Sequence, residues 1–491
     1  MKAAIERGPT GWRIDPEVTG IAIDSRAVQP GNIFVAIPGA SHDGHLFAAQ
    51  AISQGAVAIV GERPDVTVQV PYVVVPSSRM AAAELADEFY GHPSEAMRCV
   101  AVTGTNGKTS VVYWLSHVLR HAGLKTGMVS SVLNDTGLHQ HPATLTTPES
   151  PDLQRYLAEM RDYGMTHAVV EVSSHGIVQQ RVRHVSFEMA VLTNITREHL
   201  DFHGSMDRYV GAKSRLFEDL SPTSLGVLNA EDQYYDTVRE RTLAPVMSYG
   251  LDQGQVRAKI LEDGPGHSLI EITHPTFRRV VKIPHPGRYN VFNVLAVTTA
   301  ASWLGVPPDS LIEALQNLPA VPGRWHVLEQ PGYPMVVVDY AHTPDGLLQV
   351  LKSLRRLRRA AIWLVLGARG GRDHGKRPEM GRIAASMADH VILTTDSPYA
   401  EDPREIAESI AQGIREADAK KLYGFELDRA NAIRLAIESA SVHDVVLITG
   451  RGPETTQHIG SHTIRLVDAE VVQQVLKSQL PSPEDMKTWR D

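Results

Sequence analysis

The sequence predicts an α/β protein in three domains: a small α/β N-terminal unit, a central unit on a mostly parallel sheet, and a doubly wound C-terminal unit. Three observations carry this. The 491 residues exceed what a single core organises, at about 150 residues per domain. A strand, a glycine loop and a helix succeed one another from Met97, in MRCVAVTG, TNGKTS and VVYWLSHVLRHAG. A second alternation of apolar strands and helices runs from MVVVDY to DVVLITG, and such alternation reads as βαβ units with parallel pairing.

In the first unit, residues 1–95, the short apolar runs GIAIDS, NIFVAI, VAIVG and YVVV are strands, and LFAAQAISQG is a helix. A second, alanine-rich helix, SRMAAAELADEFYG, leads into His92-Pro93-Ser94, whose proline favours a turn and places a boundary near 95. The central unit, 96–322, adds the strands THAVVEVS and MAVLTNI with helical stretches between them. From Val256 to Val281 the alternation fits antiparallel strands, and NVFNVLAVTTAASWLG is helical. The third unit, 323–491, follows VPGRWHVLEQPGYP. It reads as strand MVVVDY, helix GLLQVLKSLRRL, strand AIWLVLG, helix GRIAASMADH, strand VILTT, helix PREIAESIAQGIREA and strand DVVLITG. Gly367, Asp396 and Gly450 end three of these strands on one rim, where Rossmann-like doubly wound sheets bind ligands.

Composition excludes several classes. With 43% hydrophobic and 21% charged residues the chain is neither disordered nor fibrous. No run approaches the roughly 18–20 apolar residues of a membrane helix, and Glu6 and Pro9 interrupt the start where a secretory leader would be apolar. A cytoplasmic protein is expected. The single cysteine, Cys99, excludes an internal disulfide and an all-cysteine zinc site, and its apolar run MRCVAVTG makes it a buried strand residue. A net charge of -8 argues against nucleic-acid binding. An anionic small substrate is still allowed, provided that local cations, backbone N–H groups or a metal meet it.

Gly104-Thr105-Asn106-Gly107-Lys108-Thr109-Ser110 supplies such a place. Glycines let the backbone wrap phosphate oxygens, the helix N-terminus adds a positive dipole, Lys108 a point charge and Thr109 a magnesium-ligating hydroxyl. Val102 stands where a full P-loop has its outer glycine, so the loop is a shorter one, and the central unit is P-loop ATPase-like, expected to bind a nucleotide with magnesium. Glu171, at the end of THAVVEVS, and His199, in TNITREHLDFHG, are candidates for the magnesium shell; alone, each would be an ordinary hydrogen-bonded loop residue.

The motifs DSRAVQPGNIFVAIPG, GTNGKTS, LTTPES, EVSSHGIVQQRV, TNITREHLDFHG, YVGAKSRLF, GRYNVFNVLA, VPGR, VDYAHTPDG, GGRDHGKRPEM and GRGPE span nearly the whole chain. Together they resemble the Mur ligase superfamily, in its tripeptide-synthetase (MurE-like) branch. The resemblance implies an ATP-dependent ligase of peptidoglycan precursor synthesis. In such enzymes the carboxylate of a UDP-N-acetylmuramoyl dipeptide attacks ATP to give an acyl phosphate, and a free amino acid displaces phosphate. It further implies that Lys108 and Thr109 hold phosphates and magnesium, and that Glu171 and His199 serve magnesium. Lys213 becomes N6-carboxylysine, a further magnesium ligand; an unmodified Lys213 paired to a carboxylate is the alternative. Asn290 and Asn293 read adenine, although helix-start capping also suits Asn290. Arg324, Asp339, Tyr340 and His342 reach ATP from the third domain. Ser25 and Arg26, with Thr146, Thr147, Ser173, Gln179 and Arg181, take the UDP-sugar. A monomer that binds neither nucleic acid nor membrane is the family expectation.

The match departs in the third domain. Diaminopimelate-adding members carry Asp-Asn-Pro-Arg, the arginine binding the distal carboxylate, whereas this chain has Asp396-Ser397-Pro398-Tyr399. A phenol does not replace a bidentate cation. Gly-Cys-Gly-Gly-Asp-Arg-Asp becomes Gly367-Ala368-Arg369-Gly370-Gly371-Arg372-Asp373, and Gly-Lys-Gly-His-Glu becomes Gly450-Arg451-Gly452-Pro453-Glu454. Arg372 still matches the α-carboxylate reader and Glu454 the amine reader. Diaminopimelate is therefore disfavoured and lysine, ornithine or a smaller amino acid are open, unless Arg369 or Arg404 replaces the missing cation. Two other readings are a paralogue with a different acceptor and a nucleotide-binding regulator on the same scaffold. The regulator accounts poorly for Lys108, Glu171, His199, Lys213 and Asp339 occurring together.

Overall fold

The structure, a computed structural model, describes residues 17–39, 42–264, 266–357 and 361–478. Glu6 and Pro9, on which the leader reading rests, lie outside the described residues. Three main sheets follow one another along the chain. The first joins Gly20–Ala22, Asn32–Val35, Ala58–Gly61 and Tyr72–Val74 in sequence order, all parallel. The helix Ser78–Phe89, capped by the Ser77 hydroxyl, leads through the turn Pro93–Ala96 into the second sheet.

That second sheet has eleven strands. Its parallel centre sets Arg98–Thr103 between Phe187–Leu192 and His167–Glu171, flanked by Leu225–Asn229 and Thr126–Val129. Val246–Gly250 continues it into the antiparallel strands Val256–Gly264, His267–His274 and Phe277–Ile283. The helices Lys108–His121 and Arg288–Trp303 cover one face, with Val111, Leu115, Val294 and Val297 fully buried in the shared core. Arg288–Trp303 is apolar on nearly every side because it lies beneath both sheet and neighbouring helices, the pattern of an interior helix. Ser150–Asp162 and Met206–Glu218 cover the other face through Leu153, Leu157 and Phe217. Cys99 is buried there as expected, its thiol pushed up to about 12 by burial.

The third sheet runs His326–Leu328, Met335–Val338, Val445–Ile448, Ile362–Leu366, His390–Leu393 and Leu422–Phe425. All pairs are parallel except the first. Pro344–Leu357, Lys376–Met387 and Pro403–Asp418 pack on one face, Arg429–Ser439 and Asp468–Ser478 on the other, which makes it doubly wound. Several elements go beyond the sequence reading: the edge strands Leu133–Asp135, Gln140–Pro142, His326–Leu328 and Leu422–Phe425, the hairpin Thr456–Ile459 and His462–Arg465, and the last two helices. The edge strands are short and the hairpin is mostly exposed, so neither shows the apolar alternation that marks a half-buried strand. Among the described residues no helix is long and apolar enough to cross a membrane.

Candidate active site

A cavity of about 1300 Å3 opens between the second and third sheets and is lined from both. Its floor is the loop from Thr105 to Lys108, between the strand Arg98–Thr103 and the helix Lys108–His121. Two glycines at this turn are conformationally required. Gly104 (φ +148°) would set a Cβ 1.9 Å from Thr193 Oγ1, and Gly107 (φ +87°) would set one 2.4 Å from Asn293 Oδ1. The Lys108 Nζ folds back onto the carbonyls of Gly104 and Thr105, at 3.1 and 2.9 Å, inside the loop it serves. Burial pulls its pKa down, with Glu171 opposing.

Thr109 faces the end of the neighbouring strand. Its Oγ1 lies 3.2 Å from Glu171 Oε1 and 3.0 Å from Ser131 Oγ, and the Ser131 N–H donates to Glu171 Oε2 at 2.9 Å. Parallel pairing of Arg98–Thr103 with His167–Glu171 brings Thr109 and Glu171 to one rim. On the far side His199 adopts φ +56° and its Nδ1 is buried without a hydrogen-bond partner, as is Glu198 Oε2. Burial, then His175, lowers the His199 pKa, so the ring is neutral and able to ligate. His175 is pulled down to about 4 by burial and His203. Lys213 is buried behind the loop, its Nζ donating to the Gly104 carbonyl at 2.7 Å. Burial, then Lys108, holds its pKa well below the usual lysine range. Its partner is a carbonyl, not the carboxylate that the unmodified alternative calls for. Among the described residues no group of three or more His, Cys, Asp or Glu side chains could hold a metal alone. Magnesium usually takes one or two carboxylates plus substrate phosphates, which suits Glu171, Thr109 and a loop for the phosphates.

The third sheet closes the cavity. The Arg324 guanidinium donates to Thr109 Oγ1 at 3.1 Å, lies 4.0 Å from the Tyr340 ring centre, and leaves its Nε buried without a partner. Asp339 accepts from the N–H groups of Trp325 and Ala341 at 2.7 and 2.8 Å, fixing the turn that presents Tyr340 and His342. Burial raises the Asp339 pKa, pushes that of Tyr340 up to about 12 and drives that of His342 down. Asn106 bonds Asp345 at 3.0 Å, Arg197 bonds Asp373 at 3.1 Å and Lys376 pairs with Glu198 at 3.0 Å, all across the two units. Asn290 and Asn293 line the cavity above Gly107. Gly287, not Asn290, caps their helix, and the Asn290 amide reaches back to the Pro286 carbonyl at 2.8 Å.

Thr146, Ser173, Gln179 and Arg181 line another wall. Arg181 is held by Glu149 at 2.7 Å, by Gln179 at 2.6 Å and by the Thr147 carbonyl at 2.9 Å. Thr147 lies behind the wall, its Oγ1 bonded to Ser173 and the Glu171 carbonyl. Ser25 and Arg26 stand outside the cavity: Ser25 bonds Gln50, and Arg26 is exposed and forks onto Asp24.

At the strand ends of the third sheet, Arg372, Asp396, Tyr399, Gly450 and Glu454 line the cavity with Arg369. Ser397 does not. It is fully buried, its Oγ accepting from Arg451 and the His458 N–H at 3.3 Å each. Tyr399 has φ +53° and stacks on His458 with centroids 5.2 Å apart. Arg372 is 3.8 Å from Asp201, and Arg404 lies over Phe425 away from the cavity.

Residues 17–90, 102–301 and 323–452 match, respectively, the Mur ligase family catalytic domain, the Mur ligase middle domain and the Mur ligase glutamate ligase domain. The UDP-N-acetylmuramoyl-L-alanyl-D-glutamate–2,6-diaminopimelate ligase of Geobacillus thermodenitrificans is 40% identical over 472 residues, covering 95% of this chain and 96% of that one. The chain belongs to the Mur ligase family. It is accordingly an ATP-dependent carbon–nitrogen ligase. The like-named protein of Listeria monocytogenes is 38% identical over 459 residues, covering 92% of this Mur ligase and 93% of its own length. A solved structure of a ligase of that name aligns with TM-score 0.64 at 30% identity, covering 95% of this chain and 96% of that one. MurF from Acinetobacter baumannii aligns with TM-score 0.70 at 21% identity over 94% of each chain, a likeness of fold.

Among the residues of this Mur ligase site that escaped the sequence reading are Glu198, Asp345, Lys376, Ser131 and His458. Glu198, Asp345 and Lys376 sit inside motifs quoted above but face across two units, which no local pattern announces. Ser131 and His458 lie in unremarkable stretches. Only the sheet order could have placed Ser131, since it follows the strand paired with that of Glu171.

Proposed function

We propose that this ligase joins a third amino acid to UDP-N-acetylmuramoyl-L-alanyl-D-glutamate, with ATP and Mg2+, in peptidoglycan precursor synthesis. The observation that carries it is a single cavity that collects the phosphate loop, Thr109 with Glu171, and Arg324 from the opposite unit. Residues 1–95 bind the UDP-sugar, 96–322 ATP, and 323–491 the amino acid.

Lys108 leaves its loop carbonyls for the phosphates, and Asn290 and Asn293 read adenine. Thr109, Glu171, His199 and a carbamylated Lys213 hold Mg2+, which when bound neutralises phosphate charge. Arg324 brings a second cation, Asp339 fixes its turn, and Tyr340 and His342 flank ATP. In-line phosphoryl transfer needs this positioning and charge neutralisation more than covalent help. Carbamylation adds the neutral Lys213 amine to CO2 with loss of one proton, turning a buried amine into an anionic ligand. Thr146, Thr147, Ser173, Gln179 and Arg181 complete the UDP-sugar site from the central unit. Ser25 and Arg26 serve the uridine end from outside the cavity described here. Arg372 meets the incoming α-carboxylate and Glu454 the amine; Asp396, Tyr399 and Gly450 line the remainder of that pocket, with Ser397 behind them.

Taken by itself, Tyr399 in place of the arginine of diaminopimelate-adding members would disfavour diaminopimelate; the relatives named above are diaminopimelate ligases. The choice of amino acid turns on whether Arg369 supplies a cation in its stead. Phosphate release that depends on both the UDP-muramoyl dipeptide and an amino acid tests the proposal. Release with another acceptor alone would favour the paralogue, and none with any pair the regulator.

A further inference from the structure

We infer that Arg369 is the cation that reads the far end of the incoming amino acid, in a pocket built for a far end that is itself a zwitterion, as in a diamino dicarboxylic acid. The inference rests on the ligase reading above. Sequence places Arg369 where the family has glycine, and Tyr399 where diaminopimelate-adding members have arginine. The structure brings the two together, with Arg369 Cζ 5.9 Å from the Tyr399 ring centre. The cation is thus displaced across one pocket, not lost from it.

The geometry fits a reader of carboxylates. A single nitrogen, Arg369 Nη2, lies 2.6 Å from both oxygens of Glu454. Nε and Nη1 of Arg369 have no hydrogen-bond acceptor among the described residues, so two donors of the fork are free for an anion. Tyr399 forms a fixed wall beside them: its N–H donates to the His458 carbonyl at 3.2 Å, and its carbonyl accepts from Gly460 at 2.7 Å. An ammonium acceptor is present as well. Asp396 is 3% exposed, lines the cavity and has Oδ1 buried without a hydrogen-bond partner.

Charge balance decides between a zwitterion and a lone ammonium. Asp396, Glu454 and Asp468 face three guanidiniums: Arg369 at 2.6 Å from Glu454, Arg429 at 2.7 Å from Asp468, and Arg451 at 4.0 Å from Glu454 and 3.9 Å from Asp468. With Arg372 left to the incoming α-carboxylate, the set is electroneutral. A lysine side chain would add an uncompensated charge to it, whereas a distal carboxylate on Arg369 with an ammonium on Asp396 adds none.

The test uses the full chain with ATP, Mg2+ and UDP-muramoyl dipeptide. Borohydride reduction of the acyl phosphate to the alcohol with release of phosphate, without any amino acid, tests the ligase reading first; no alcohol product removes that reading and the inference with it. With the alcohol formed, kcat/KM for meso-diaminopimelate should exceed that for lysine, ornithine and alanine. Arg369→Gly should lower it by about 30- to 100-fold, chiefly through KM. Arg369→Gly with Tyr399→Arg, which restores the family arrangement, should recover most of the loss. A wild type that prefers a monocarboxylic amino acid, or an Arg369→Gly effect below about threefold, overturns the inference. A double variant no better than the single assigns the loss to the fold and overturns it too.

Discussion

Lys376 and Glu198 join the central and C-terminal units through an ion pair at 3.0 Å, with side chains 5% and 6% exposed. Lys376→Met keeps most of the volume and removes the charge. The Glu198 carboxylate, whose Oε2 already lacks a partner, then loses its one hydrogen-bonded cation among the described residues while the units are closed. In an opened arrangement water would reach it, so the whole penalty falls on the closed state. Breaking a buried pair from one side costs about 3–5 kcal/mol, or roughly 10²- to 10⁴-fold in the ratio of closed to open molecules. The neighbouring Arg197–Asp373 pair has a half-exposed arginine and compensates little. Glu198→Gln added to Lys376→Met removes the stranded charge and should recover about 2 kcal/mol or more. A spin-label distance between the units reads the equilibrium directly, and kcat/KM for phosphate release reads its consequence. Unchanged distances in Lys376→Met, or strictly additive effects in the double variant, would refute the reasoning.

Lys213→Ala should lose about 10²–10³-fold in phosphate release, with partial rescue by acetate. Full activity of that variant would remove the carbamate. Gly107→Ala places a Cβ 2.4 Å from Asn293 Oδ1 at φ +87°. With about 1–2 kcal/mol of left-handed strain it should raise the KM for ATP about tenfold, and an unaltered KM would count against the loop as the phosphate cradle. Arg429 and Asp468, 0% and 1% exposed, pair at 2.7 Å within the third unit. Arg429→Met should therefore cost about 3–5 kcal/mol and lower the calorimetric Tm of that unit. A Tm within about 2 °C of wild type would mean that Asp468 finds another partner.

The α/β architecture was legible because its central strands are buried on both faces and read as continuous apolar runs between glycine or polar turns. Edge strands such as Gln140–Pro142 carry no such run, since one side meets water. The helix Arg429–Ser439 escaped because its buried stripe includes the small Ala432 and Ala436 and even a buried arginine. The phosphate loop was legible because its chemistry is contiguous, and Glu171 because its strand is the immediate parallel neighbour of that of the loop. Lys376–Glu198 and Asn106–Asp345 were not, because pairing between separate units leaves no local periodicity.

Tyr399 shows the same limit most sharply. Taken alone, it removes a cation and argues against a distal carboxylate. Yet Ile362–Leu366 and His390–Leu393 are adjacent parallel strands, so the segments that follow them, carrying Arg369 and Tyr399, must emerge side by side on one rim. A loss at one strand end and a gain at the next are then one substitution in space. Recognition depends on where the charge sits relative to the ligand, not on which strand supplies it, so the two departures belong together.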